Sequence, residues 1–179
     1  YIDCKPYLSS YNQLYYIYSS DNGATWSSQK VLDSSLGKKT DSDLPFYGRP
    51  EILLDNSIAY AFWQNDNNLF FAKEKFEQLN LQNRDKKQLC ENIKFAKVGY
   101  LSGAKIGSTI YLSFLDDIAT IYFTKSIDNG NTWEDCKAVI SEDYTIFNQR
   151  LSASENKVYI VYQDVSDEGP FGGDIFYLK

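Results

Sequence analysis

The side chains that most often do chemistry are sparse in this chain. Histidine is absent, which removes a Ser-His-Asp triad, a Cys-His dyad and most zinc sites together. Cys4, Cys90 and Cys136 are too few and too scattered for a disulfide framework. One bridge is conceivable, but three buried or free thiols are the expectation, and the compartment is left open. Asp128 to Glu134 has the oxygen content of a calcium loop, yet its glycine and terminal carboxylate stand at the wrong offsets. Asn65-Asp66-Asn67-Asn68 reads first as a turn between strands. Gly103 to Ser108 holds Lys105 between two glycines, but a phosphate loop needs a following helix, and here a strand pattern follows. The carboxylate pairs Asp116-Asp117 and Asp167-Glu168 fall in expected loops, where a solvated turn is the default. No metal or cofactor is expected.

The most specific pattern is a turn written twice. Ser19-Ser20-Asp21-Asn22-Gly23-Ala24-Thr25-Trp26 and Ser126-Ile127-Asp128-Asn129-Gly130-Asn131-Thr132-Trp133 agree at six of eight positions and lie 107 residues apart. Each follows an aromatic-rich strand pattern, Leu14 to Tyr18 and Thr120 to Lys125. Asp and Asn side chains bond backbone N–H groups two residues on, and Gly supplies the positive φ of a tight reversal. Asp-Asn-Gly between β-rich runs is therefore a hairpin signal. The Ser hydroxyl and Thr25 or Thr132 close further local bonds, and Trp26 or Trp133 folds back over the apolar side. Ser19, Asp21, Gly23, Thr25 and Trp26, with Ser126, Asp128, Gly130, Thr132 and Trp133, are thus expected to be scaffold. This strand-plus-turn pattern is the Asp box, and the chain resembles the Asp-box (BNR-repeat), sialidase-like β-propeller family.

A fainter repeat runs between the two boxes. Asn68-Leu69-Phe70-Phe71-Ala72-Lys73 is similar to Thr120 to Lys125, and Asp174 to Lys179 is similar again. Aligning Ile17, Ala72, Thr124 and Leu178 gives steps of 55, 52 and 54, a plausible length for a four-stranded blade. Alternating strands precede the last three of these (Ile58 to Trp63, Thr109 to Phe114, Val158 to Gln163). Shorter ones come before those (Glu51 to Leu54, Gly99 to Ser102, Arg150 to Ala153), and outer strands are expected at Gln29 to Leu32 and Cys136 to Ile140. The expected class is all-β, a β-propeller of four-stranded antiparallel blades, in units 1–48, 49–97, 98–148 and 149–179. Lys73 to Lys94 is ambiguous: a short helix, a long outer loop, or an outer strand at Phe76 to Leu81.

Composition agrees with that class. Of 179 residues, 29 are Phe, Trp or Tyr, which suits strands. A net charge of −6 without a basic run argues against tracking nucleic-acid phosphates, and apolar runs of strand length preclude a membrane-spanning helix. Starting at Tyr1 without Met, the chain is expected to be processed or excised from a longer one. At about 53 residues a blade, 179 residues supply roughly 3.4 blades, fewer than the about four to eight of a closed ring. The remaining blades of a six-bladed ring are expected from the parent chain or, as the lesser alternative, from a second copy.

The resemblance also implies chemistry. Sialidases hold a substrate carboxylate with three Arg at the mouth of the central channel and use a Tyr–Glu pair and an acidic acid/base residue. Arg suits this because its planar fork makes paired, charge-assisted bonds to a carboxylate. Only Arg49, Arg84 and Arg150 are present. Arg84 lies in a polar loop pattern and reads as a surface residue. Arg49, in Tyr47-Gly48-Arg49-Pro50, and Arg150 fall at expected starts of innermost strands and are the candidate substrate-binding residues. No nucleophile stands out among 15 Tyr. The implied function is an exo-sialidase-type glycoside hydrolase acting on sialylated glycans; the alternative is a non-catalytic propeller presenting loops and aromatics to a glycan or protein partner. Only the resemblance favours a secreted or cell-surface setting.

Overall fold

A computed structural model describes residues 12–36, 49–65, 68–75, 86–93, 98–116, 119–141, 145–165 and 174–178. Among them the chain is all-β, without a helix. The first sheet pairs β1 (Asn12–Tyr16) with β2 (Lys30–Leu36). The second is a meander of β3 (Glu51–Asp55), β4 (Ile58–Asn65), β5 (Asn68–Lys75) and β6 (Lys87–Leu89). The third repeats it with β7 (Val98–Ile106), β8 (Thr109–Asp116), β9 (Thr120–Ser126) and β10 (Lys137–Ser141). The fourth contains β11 (Thr145–Ser154), β12 (Lys157–Val165) and β13 (Asp174–Leu178). All pairings are antiparallel.

The aligned residues occupy one register row. Ala72 stands opposite Ala61, Thr124 opposite Leu112 and Leu178 opposite Ile160. Each of those partners is the fourth residue of its strand, after a two-residue hairpin. The period of two along β4 then assigns its faces. Tyr60 and Phe62 join Leu101, Ile110, Leu112 and Phe114 in a core between the second and third sheets. Ala59, Ala61 and Trp63 face the first sheet, with Leu14, Tyr16 and Leu32. On β8, Leu115 turns the other way, towards Ile146, Leu151 and Ile160 of the fourth sheet. Consecutive sheets therefore stack face to face, the second and third each buried on both sides by their neighbours in sequence.

Polar pairs pin the stack. The Trp63 indole N–H donates to Asp33 Oδ2 at 2.8 Å, joining the first two sheets. Lys105 meets Asp55 at 2.7 Å between the next two. Along one edge the first strands lie side by side: β3 against β7, where Leu53 fills the space above Gly103, and β7 against β11, where Ser102 Oγ accepts from the Leu151 N–H at 2.9 Å.

Several expectations need correction. Cys90 and Cys136 form a disulfide, with Cα atoms 5.1 Å apart, rather than remaining thiols. Their 46-residue separation hid a contact that sheet stacking creates, since each cysteine adjoins the outer strand of its own sheet. Within Lys73 to Lys94 the described residues include an outer strand, β6, where Leu89 pairs with Leu69 and shares its core. Phe76 to Leu81 lies outside the described residues, as do Cys4 and Arg84. β11 begins at Thr145, so Arg150 is inside that strand rather than at its start, and the fourth sheet begins ahead of residue 149.

Candidate functional site

Two constructions carry the sequence-derived residues: the paired turns and the edge formed by the first strands. In the second turn, Ser126 Oγ donates to Asp128 Oδ1 at 2.8 Å and accepts from the Gly130 N–H at 2.8 Å. Asp128 accepts from the Thr132 N–H at 2.8 Å and from its hydroxyl at 2.6 Å. The first turn copies this bond for bond with Ser19, Asp21, Gly23 and Thr25. The carboxylate thus reaches four residues on rather than two, because Asn22-Gly23 and Asn129-Gly130 are both left-handed and bring the Thr amide back beneath it. These donors hold Asp21 and Asp128 down to a pKa of about 2: the Thr hydroxyl first, the Thr N–H next, then the Ser hydroxyl. The Ser, Asp and Thr side chains of both turns are thus engaged with one another and with the turn backbone, as the scaffold expectation requires.

The two tryptophans differ. Trp133 lies edge-on to Phe62 and Phe71 of the preceding sheet, with ring centroids 5.7 and 5.1 Å away. Lys73 Nζ donates to Asn129 O at 2.9 Å across the same junction. Trp26 is exposed rather than folded onto a covered surface.

At the other construction, the repeat aligns chemistry. Arg49, Tyr100 and Asn148 each stand six residues before the last residue of their first strand; Glu51, Ser102 and Arg150 each stand four before it. Arg49 and Arg150 therefore occupy different rows rather than equivalent places. Bulges interrupt β7 between Gly99 and Ser102 and β11 between Phe147 and Arg150. Tyr100 and Asn148 take left-handed backbone there, at φ 49 and 52. A tyrosine in that region is uncommon, and bulges of this kind re-aim side chains beside functional sites.

The result is a cluster drawn from three adjacent strands. The Arg49 guanidinium lies over the Tyr100 ring, 5.1 Å from its centroid. Glu51 Oε1 accepts from the Gly103 N–H at 3.4 Å. Burial pushes the Glu51 carboxyl up, against the opposing pull of the Gly103 N–H and the nearby Arg150 guanidinium. Arg150 donates to Gln149 O at 3.0 Å and remains exposed, as does Arg49. Beneath them Gln149 is fully buried and satisfied: its Nε2 donates to Tyr100 O and, at 3.2 Å, to Ser113 O, while Ser113 Oγ donates to its Oε1 at 2.7 Å. That amide fastens one bulge to the other.

Sequence reasoning singled out Arg49 and Arg150 but missed Glu51, Tyr100 and Gln149. Their common spacing from the hairpins was the available signal. The arrangement presents two exposed guanidinium groups, an aromatic ring and one partly buried carboxyl, a set suited to a small anionic, hydroxylated ligand. Among the described residues no group of His, Cys, Asp or Glu is placed to hold a metal ion. No helix there is long and apolar enough to cross a membrane. Compared with protein-family models and with curated proteins, the chain matches none.

Proposed function

We propose that these sheets are blades of a sialidase-like Asp-box β-propeller whose first-strand edge binds a carboxylate-bearing glycan, as an exo-sialidase-type glycoside hydrolase would. The observation that carries the reading is the placing of two pairs, Arg49 with Tyr100 and Glu51 with Arg150, on adjacent first strands along one edge of a stack that also bears the two repeated turns. Three features support the propeller: antiparallel four-strand meanders, consecutive face-to-face packing, and first strands that lie side by side as they would around an axis. The mouth of that axis is where the glycan or protein ligand binds, and further blades complete the ring. The Cys90–Cys136 bridge supports an oxidising, secreted or cell-surface setting.

In this reading Arg49 and Arg150 share the ligand carboxylate through paired N–H donors, and the Tyr100 ring fixes the Arg49 plane. Glu51 limits how tightly an anion binds, since its carboxylate competes for Arg150. The non-catalytic alternative draws support from the same cluster, because Glu51 is the one carboxyl among its described members.

A fluorogenic sialoside and free sialic acid test both readings. Saturable binding of sialic acid, measured by saturation-transfer NMR and titration, is expected to weaken about tenfold or more in Arg150→Ala, the loss of one charge-assisted pair. Turnover of the sialoside, lost in the same variant, assigns an enzyme; binding without turnover assigns a lectin-like module. Binding that survives changing both Arg49 and Arg150 to Ala removes the site.

A further inference from the structure

Gln149 is a buried polar residue whose place the repeat fills elsewhere with a leucine. It stands five residues before the last residue of β11, as Leu101 stands in β7. Both positions lie within the bulges, where two residues face one: Tyr100 and Leu101 against Phe114, Asn148 and Gln149 against Tyr162. Leu101 is 2 % exposed and belongs to the core between the second and third sheets. A bulge of this form therefore arises, and fills its share of the interior, with an apolar side chain. At 0 % exposure Gln149 instead carries an amide inside, which is unfavourable unless its polar atoms are bonded. The bonds it makes all lead to the third sheet, to Tyr100 of β7 and Ser113 of β8.

Those bonds reach the backbone that carries the charged edge. Gln149 Nε2 donates to the carbonyl of Tyr100, whose left-handed backbone, at φ 49, aims the ring that Arg49 covers. A bulge takes its extra residue out of the ladder, and here the donor to that carbonyl comes from the next sheet. On the other side of the amide, Arg150 follows directly in the chain, and the Leu151 N–H donates to Ser102 Oγ at 2.9 Å. Arg150 is thus held against the β7 bulge through both of its neighbours. From the opposite flank Glu51 accepts from the Gly103 N–H, so the same bulge is gripped from β3 and from β11.

We propose that Gln149 is a positioning residue for this edge: its amide fixes Tyr100 under Arg49, and Arg150 beside Glu51, before an anionic ligand arrives. The inference rests on the reading of the edge as a ligand site. The amide touches no ligand. It removes the freedom of two bulged strands in advance, and donors fixed in advance lose less on association.

Gln149→Leu places in β11 the residue type that β7 already uses, and combining it with Ser113→Ala also removes the hydroxyl that loses its acceptor. Calorimetry fixes a temperature at which the variants are fully folded. There the Arg49 side-chain Nε–H signal, displaced in the unmodified chain by the Tyr100 ring, is expected to move to its position in Tyr100→Leu. Ser113→Ala alone, which takes one donor from the amide, is expected to move the signal part of the way. Sialic acid titrated into either leucine variant is expected to bind about tenfold more weakly or worse. A role in packing alone would move neither readout, because leucine keeps the interior filled. A folded double variant with an unmoved Arg49 signal, or with undiminished affinity, overturns the proposal. Failure of the ligand reading registers separately: the unmodified chain would then bind no sialic acid, while an Arg49 signal that still follows Gln149 upholds the coupling of the two bulges.

Discussion

At the scale of single residues, the carboxylates of the two repeated turns act as fasteners. Asp21 and Asp128 each hold a Thr amide, a Thr hydroxyl and a Ser hydroxyl. Their pKa values, about 2, lie below the ordinary 3.8. A carboxyl depressed in the folded state stabilises it above its unfolded pKa, and that contribution disappears as pH falls through the folded value. Thermal unfolding followed from pH 5 to pH 2 is therefore expected to steepen below about 3.8, and Asp128→Ala to flatten the decline. A decline identical in the variant would contradict the assignment. The glycines of the two turns separate conformation from packing. Gly23 and Gly130 are both left-handed, at φ 87 and 80, but only Gly130 is pressed by Phe71. Gly130→Ala is expected to cost about 1–3 kcal/mol more than Gly23→Ala in urea unfolding. Equal losses would mean that backbone strain alone is at work. Both turns were legible in sequence because the bonds among their Ser, Asp and Thr residues are local; the close approach of Phe71 was not.

At the scale of elements, the third sheet is a meander whose third strand feeds an outer turn that packs on the sheet before it. Trp133 makes that contact and Trp26 does not. Trp133→Ala is expected to destabilise by about 3 kcal/mol, the low end for a buried Trp because its ring is only partly covered. Trp26→Ala is expected to change chain stability by no more than about 0.5 kcal/mol. Differential unfolding of the two variants checks this, and similar effects would argue against the junction. Strand positions were readable because period-two alternation in Ile58 to Trp63 and Thr109 to Phe114 mirrors two buried faces. β6 was less readable: three residues, Lys87–Leu89, are too few to display a period. The bulges in β7 and β11 leave no compositional mark, which is why Arg150 was assigned to a strand start and Tyr100 was passed over.

At the scale of the whole molecule, the Cys90–Cys136 disulfide bridges the second and third sheets across 46 residues of chain. In the loop-closure account a bridge of that span stabilises by about 3–4 kcal/mol. Reduction, or Cys90→Ser with Cys136→Ser, is expected to lower the unfolding midpoint accordingly, read by calorimetry with and without reductant. No change on reduction would show that the pair is not formed in solution. The fifty-residue period predicted successive sheets, and sheets consecutive in sequence are neighbours in the stack. By itself the sequence determined the all-β class, the hairpins and the two Asp-Asn-Gly turns, since period-two patterning and i to i+4 bonding depend only on neighbours along the chain. The disulfide, the buried Gln149 amide joining two bulges, and the meeting of Arg49 with Tyr100 and of Glu51 with Arg150 join residues from different sheets. Only tertiary structure decided those, because face-to-face stacking brings together side chains that share no local pattern.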